Sequence, residues 1–214
     1  MKKLVIFDFD GTLFDSVEDV IICFDKALEI HDFPKLTRKE YFEVLGGNID
    51  EMVSLILREN NTSENIELIK NTYEKLYDES KKENTLPFPK MHDLLKILQE
   101  KDLLLAINSN RKTDSIKYYV DKFFMDVDFV SIEGHNPNHP SKPHPYAVEM
   151  MRKKFGVTKD ECIYIGDSKT DINTANNAEI DCLIVKWGYG TQEDYNEDNV
   201  LGVIENPDEI LNYF

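Results

Sequence analysis

Four short stretches carry residue types that could do chemistry together. Asp8-Phe9-Asp10-Gly11-Thr12-Leu13-Phe14-Asp15-Ser16 follows an apolar run and sets two carboxylates two residues apart. Alternate residues of a continuing strand face the same way, so both acids would share one side. Like charges that close need a cation or a shared proton. Gly11 allows a turn that a side chain would hinder. Asn108-Ser109-Asn110-Arg111 follows a second run, and a hydroxyl with neighbouring amides can hold a phosphate oxygen. Lys142 lies in Ser141-Lys142-Pro143-His144-Pro145, where the prolines restrain its backbone; a rigidly presented ammonium can neutralise carboxylates and phosphate. Gly166-Asp167-Ser168-Lys169-Thr170-Asp171 follows a further run and places two carboxylates four residues apart, on one side of a helix's opening turn. A strand-end acidic cluster suits Mg²⁺, which prefers oxygen ligands and keeps several waters. Singly, each stretch is also what ordinary structure needs: an Asx-rich turn, an Asn/Ser turn, a surface lysine in a proline-rich loop, a helix cap at Asp167 or Ser168.

The elements that must position these residues are legible as periodicity. Residues 4–7, 103–107, 129–132, 162–165 and 182–185 are short apolar runs of the kind found in buried parallel strands. Helical patterns separate most of them. Leu94, Leu95, Ile97 and Leu98 form one; Tyr146, Ala147, Met150, Met151 and Phe155 form another, opened by Pro145 and closed by Gly156. Strands alternating with helices predict an α/β fold, a doubly wound parallel sheet of Rossmann-like form with right-handed crossovers. In such sheets ligands bind at the carboxyl ends of the strands, where all four stretches fall.

Residues 15–83 break that rhythm. Val17, Val20, Ile21, Phe24, Ala27 and Leu28 recur at helical spacing, with Ser16 as the expected N-cap and Asp19 three residues on. Met52, Leu55 and Ile56 mark a second helix. Ile66, Ile69, Tyr73, Leu76 and Tyr77 mark a third, beginning near Ser63. So long a helical stretch exceeds a simple crossover. It predicts a separate helical domain over 15–83, inserted into a sheet domain of 1–14 and 84–214, with Thr85-Leu86-Pro87-Phe88-Pro89 as the return linker.

Bulk composition narrows the partners. The 214 residues carry 25 basic and 41 acidic side chains, a net charge of −16, with no long Lys/Arg run. Such a chain repels nucleic acid and anionic membrane, and polymer phosphates are poor candidate substrates. Cys23, Cys162 and Cys182 are sparse and have no CxxC spacing, so zinc and redox motifs are unsupported; Cys23 and Cys162 read as core residues, and a reducing cytoplasm is the expected location. The first apolar run stops at Asp8, too short for a signal-peptide core, and no stretch approaches a membrane span.

The order of the four stretches is more specific than any one of them. An aspartate pair, a hydroxyl, a lysine and a second acidic pair at successive strand ends resemble the haloacid dehalogenase superfamily across essentially the whole chain. Asp8-Phe9-Asp10-Gly11-Thr12 looks like its first motif, Ser109 its second, Lys142 its third, and Gly166-Asp167 with Asp171 its fourth. The helical insert resembles the family's four-helix cap. Lys186-Trp187-Gly188-Tyr189-Gly190 looks like a segment of the phosphoglycolate-phosphatase-like branch.

The resemblance implies a Mg²⁺-dependent phosphatase acting on a small phosphorylated metabolite. Asp8 would attack phosphorus, and Asp10 would protonate the leaving oxygen and then activate water. Mg²⁺ would bind the Asp8 carboxylate, the Asp10 backbone carbonyl and Asp167, with Asp171 supporting the site. Ser109 and Lys142 would hold phosphoryl oxygens, with Gly11 and Asn110 beside them. Asp10 argues against a dehalogenase, because a halide leaves without a proton. A sugar phosphomutase keeps both aspartates and stays open, as does an inorganic pyrophosphatase on the same fold. A receiver-type signalling module lacks a cap-sized insert, and a non-catalytic binding protein would normally have lost a motif residue. No protein partner is implied.

Three further points concern particular residues. Val44-Leu45-Gly46-Gly47-Asn48 lies between two predicted helices, and Gly47 is the candidate for a loop that reads the substrate. Asn177-Ala178-Glu179 stands where the family usually has Asn-Ala-Gly, so Glu179 is expected to adopt a left-handed turn at about 1–2 kcal/mol. Residues 133–141, with His135 and His139, form a long segment before Lys142 and read as an exposed polar loop.

Overall fold

The run Leu-Val-Ile-Phe at 4–7 is apolar at every position, as a parallel strand covered on both faces must be, and all four residues are buried. The computed structural model describes residues 1–196 and 200–214. In it the chain runs β1 (Leu4–Phe7), β2 (Phe14–Asp15), α1 (Val17–Ile30), α2 (Arg38–Val44), α3 (Ile49–Leu57), α4 (Ser63–Glu79), β3 (Leu86–Pro87), α5 (Met91–Glu100), β4 (Leu104–Lys112), α6 (Thr113–Phe123), β5 (Phe129–His135), α7 (Tyr146–Phe155), β6 (Cys162–Gly166), α8 (Lys169–Ala178), β7 (Asp181–Val185) and β8 (Gly202–Ile204). By internal packing it divides into two compact units, Met1–Phe14 with Pro87–Phe214, and Asp15–Leu86.

The first unit holds a six-stranded sheet ordered β5-β4-β1-β6-β7-β8, each neighbouring pair parallel. The chain winds outward from β1 through β4 to β5, then returns to the other side of β1 with β6. The winding direction therefore reverses beside β1, which is where an open α/β sheet offers a crevice. Alternate residues of β1 serve two cores. Val5 and Phe7 pack with Leu94 and Leu98 of α5 and Ile116 and Tyr119 of α6. Leu4 and Ile6 pack with Val148 and Met151 of α7 and Ile172 and Ala175 of α8. Phe7 is level with both Ile107 and Ile165, so the chain leaves the sheet at nearly the same height after β1 and β6. All three cysteines are buried.

The second unit is helical. Val17, Val20, Ile21, Phe24, Ala27 and Leu28, the face predicted for α1, are all buried. Phe24 stacks on Tyr73 of α4 at 3.9 Å between ring centroids. Asp19 is buried and accepts from the Asn84 backbone N–H at 3.1 Å, the Asn84 side-chain amide at 2.9 Å and the Thr85 hydroxyl at 2.7 Å. It ties the returning chain to α1 rather than capping that helix.

Four local expectations differ from the structure. Ser109-Asn110-Arg111 lies within β4, which runs on to Lys112, not in a turn after it. Ser16 occupies the N-cap of α1 without a side-chain capping bond. Helix α2 was not expected, although its Thr37-x-x-Glu40 capping box is a sequence signature; Thr37 N–H donates to Glu40 Oε2 at 2.7 Å. In α7 the buried residues are Val148 and Met151, while Tyr146 is exposed.

Helix α8 ends on Glu179 in the left-handed conformation, φ 56° and ψ 44°, as expected. Its backbone N–H donates to Asn176 O at 3.0 Å, and its carboxylate meets Lys159 at 2.9 Å on the surface. Exposed ion pairs contribute little, so the backbone term should dominate a substitution. Glu179→Gly should raise unfolding stability by about 0.5–1 kcal/mol, the left-handed penalty less the extra unfolded-state freedom of glycine. Urea denaturation of the two proteins measures it, and a less stable glycine variant would contradict the assignment.

Candidate active site

The sheet brings the first, third and fourth stretches to one point. Asp8 leaves β1 with its backbone N–H donating to Ile165 O at 2.8 Å. Lys142, in the segment before α7, extends Nζ to Asp8 Oδ1 at 2.7 Å and to Asp171 Oδ1 at 2.7 Å. The other oxygen of Asp171 accepts from the backbone N–H groups of Asp167 and Ser168, both at 3.1 Å, and from the Ser168 hydroxyl at 2.9 Å. Asp171 thus caps its own helix and anchors the ammonium together. Asp167 accepts from the Tyr189 backbone N–H at 2.6 Å and from the Thr12 hydroxyl at 3.4 Å. A side chain at Gly11, which has φ 79°, would overlap the Asp167 carboxylate, and one at Gly188 would overlap Asp167 and the Gly11 carbonyl. Those two glycines let three loops close around one acid.

Asp8, Asp167 and Asp171 are buried, and one ligand oxygen from each lies within 4.8 Å of the others. Burial, and then the Asp171 charge, push Asp8 up to about 7 against the pull of Lys142. Burial and the charges of Asp171 and Asp8 push Asp167 well above the carboxylate range. Burial opposes the charge on Lys142, yet Asp171 and Asp8 hold it well above an ordinary lysine. Three carboxyl groups thus crowd one ammonium, and ionising all of them together becomes favourable only beside a divalent cation, which takes such oxygen ligands. The oxygens of Asp171 are already bonded to Lys142 and the helix start, so Asp8 and Asp167 are the better placed direct ligands.

The remaining predicted residues fall as follows. Asp10 stands outside the acidic triad. Arg111 Nε lies 3.1 and 3.0 Å from its two oxygens, and Nη2 lies 2.6 Å from Oδ1. Ser109 is buried and accepts from the Arg111 backbone N–H at 3.2 Å. The side chain of Asn110 is given over to Lys142: Oδ1 accepts its backbone N–H at 3.0 Å and Nδ2 donates to its carbonyl at 3.3 Å. Gly47 belongs to the helical unit, in the turn between α2 and α3. His135 pairs with Ser141 at 2.9 Å, and His139 stacks on Tyr146 at 4.6 Å. They border a small cavity of about 60 Å³ that Ser109, Lys142 and Glu133 also line.

A family model for haloacid dehalogenase-like hydrolases matches residues 5–185. The chain belongs to that family. It is a phosphatase enzyme of the haloacid dehalogenase-like hydrolases, and its curated relatives include two phosphoglycolate phosphatases. One, from Aliivibrio fischeri, is 28% identical over 197 residues, covering 89% of this chain and 87% of the relative. The other, from Aquifex aeolicus, is 26% identical over 192 residues, covering 87% and 86%. Among solved structures, a candidate phosphoglycolate phosphatase from Lactobacillus delbrueckii has a TM-score of 0.90 at 26% identity, covering 98% of this chain and 97% of its own. A candidate haloacid dehalogenase-like hydrolase from Bacteroides fragilis has 0.91 at 25%, covering 98% and 100%.

Sequence reasoning about this hydrolase missed Arg111, Thr12 and the backbone of Tyr189. Arg111 was within reach only as a cation two residues beyond Ser109, at the strand end where the carboxylates gather. The Tyr189 contact had no signal in residue type, since a backbone N–H makes it.

The charge imbalance gives a direct test. Asp167→Asn removes a buried carboxyl group whose ionisation the fold opposes, while keeping an acceptor for Tyr189. Because a carboxyl with a raised folded-state pKa costs stability at neutral pH, the metal-free variant should melt higher than the metal-free parent, by roughly 2–4 °C for each kcal/mol of that cost removed. Adding Mg²⁺ should raise the parent's melting temperature and leave the variant's nearly unmoved. Equal Mg²⁺ shifts in both would remove Asp167 from the cation site.

Proposed function

We propose that this enzyme hydrolyses small phosphate monoesters of the phosphoglycolate kind through an aspartyl-phosphate on Asp8, with Mg²⁺ as cofactor. The observation that carries the reading is the buried cluster of Asp8, Asp167 and Asp171 around Lys142, with a second aspartate two residues from the first. The names of the relatives support the substrate class.

In the first step an Asp8 oxygen attacks phosphorus, the ester P–O bond breaks, and the Asp10 carboxylic acid gives its proton to the departing oxygen. In the second, the Asp10 carboxylate takes a proton from water. The water oxygen bonds to phosphorus, the P–O bond to Asp8 breaks, and inorganic phosphate leaves with Asp8 restored. Bound by Asp8 and Asp167, with Asp171 behind them and the Asp10 backbone carbonyl alongside, Mg²⁺ would offset charge on the phosphoryl oxygens. Lys142 supplies a fixed positive charge to the same oxygens, and the Asn110 side chain holds its backbone in place. Ser109 and Gly11 complete the phosphate cradle. The helical unit Asp15–Leu86 acts as a cap that selects the substrate, with Gly47 on its reading loop.

Asp8→Asn should fold normally and lose more than about 99% of turnover, since the amide is no nucleophile. Retention of more than a few per cent, in protein checked for deamidation, would remove Asp8 from that role. Exhaustive chelation should stop phosphate release and Mg²⁺ should restore it; full activity without metal would refute the cofactor. Phosphate release without a bisphosphate activator separates this reading from the mutase, which would instead isomerise a sugar phosphate with no net phosphate release. A bulky residue at Gly47 should reorder a panel of phosphate esters, with acetyl phosphate affected least. An unchanged order would mean that this loop does not read the substrate.

A further inference from the structure

Arg111 has been given no role in the reaction, yet its surroundings fix it more tightly than a surface arginine. Its side chain is 8% exposed and pairs with Asp10. Nε and Nη2 grip the carboxylate, and Nη1 donates to the Ser115 hydroxyl of α6 at 3.2 Å. The guanidinium lies over the buried rings of Phe9 and Tyr119, 5.3 and 5.8 Å from their centroids. Its backbone N–H rests on Ser109 Oγ. Polar and aromatic contacts thus set both the plane and the height of the fork, and a planar fork fixes a carboxylate as a point charge cannot.

Asp10 meets that fork with both of its carboxylate oxygens. It lies beyond the end of β1, and its side chain is 31% exposed. A two-point grip on a short, part-exposed stem favours one rotamer over its alternatives. A general acid must hold one oxygen within hydrogen-bond reach of the atom it protonates.

We propose that Arg111 is the positioning residue for Asp10, aiming its carboxyl group at the leaving oxygen. This rests on the acid–base part of the function proposed above. Arg111 itself exchanges no proton. It acts through Asp10, and its effect should follow the demand for proton donation. An alkoxide leaves phosphorus only with a proton, whereas p-nitrophenolate leaves readily without one.

The test compares kcat/KM, which covers the steps through loss of the leaving group, for an alkyl ester such as 2-phosphoglycolate and for p-nitrophenyl phosphate. Both are assayed with Mg²⁺ on wild type, Arg111→Gln, Arg111→Lys and Asp10→Asn. Arg111→Gln should lose at least about tenfold more on the alkyl ester than on the aryl ester, a fraction of what a general acid contributes. Arg111→Lys should recover part of that difference, because it restores the charge without the fork. If the Gln variant fails to fold, the Lys variant carries the test, with the same but smaller split. Equal losses on both esters, no loss, or a gain in activity would overturn the role while leaving Asp10 as the acid. Full activity of Asp10→Asn on the alkyl ester would instead overturn the acid–base reading and this inference with it.

Discussion

One buried ammonium is the constraint on which the catalytic end of the sheet depends. Lys142 lies between Asp8 and Asp171, 2.7 Å from each, and none of the three reaches bulk water to any extent. Buried ions carry a desolvation cost of several kcal/mol each, which only good geometry and further hydrogen bonds offset. The protein meets both conditions. Asp171 bonds to the opening turn of α8, and the backbone of Lys142 is clasped by Asn110. Asp167 adds a further buried carboxyl group within the same few ångströms, and burial and its neighbours oppose its ionisation in the metal-free cluster. Such crowding costs stability that a bound cation would return, a common feature of sites arranged for function.

The sheet makes that arrangement possible through register. Phe7 stands level with Ile107 and Ile165, so β1, β4 and β6 deliver their polar ends to the same height. The reversal of winding beside β1 keeps helices from closing over that edge. Strand β4 differs from its neighbours by continuing to Lys112. That extension, irregular between Asn108 and Lys112, brings Arg111 to Asp10.

Much of this was legible from residue order because buried parallel strands leave little freedom. A run such as Leu4–Phe7 is apolar throughout, and the first polar residue after it must lie near the strand's end. Glu179 was legible too, since a helix that ends by a left-handed residue keeps that geometry whichever side chain occupies it. What was missed lacked that kind of constraint. The extension of β4 over Asn-Ser-Asn-Arg-Lys runs against strand propensity and depends on pairing with β5 out to His135. The grip of Tyr189 on Asp167 comes from a backbone N–H, to which residue type is nearly blind. Asp19 reads as half of a capping box, yet its partners Asn84 and Thr85 lie 65 and 66 residues away in sequence.

The two aspartates of the first stretch show most clearly how position becomes chemistry. Asp8 and Asp10 are the same residue type two positions apart, and side-chain chemistry alone gives no reason to treat them differently. The fold separates them by environment. Asp8 is sealed from water beside an ammonium and two further acids, a setting that suits a group held close to a cation. Asp10 is part-exposed, lies outside that cluster, and faces a guanidinium clamped by two rings and a hydroxyl. Pairs of titratable groups placed in such unlike surroundings are how one site separates nucleophile from acid. Here the difference in surroundings follows from where β1 stops: the Asp8 backbone N–H donates to Ile165 of β6, and by Asp10 the chain has turned far enough to meet Arg111 near the end of β4.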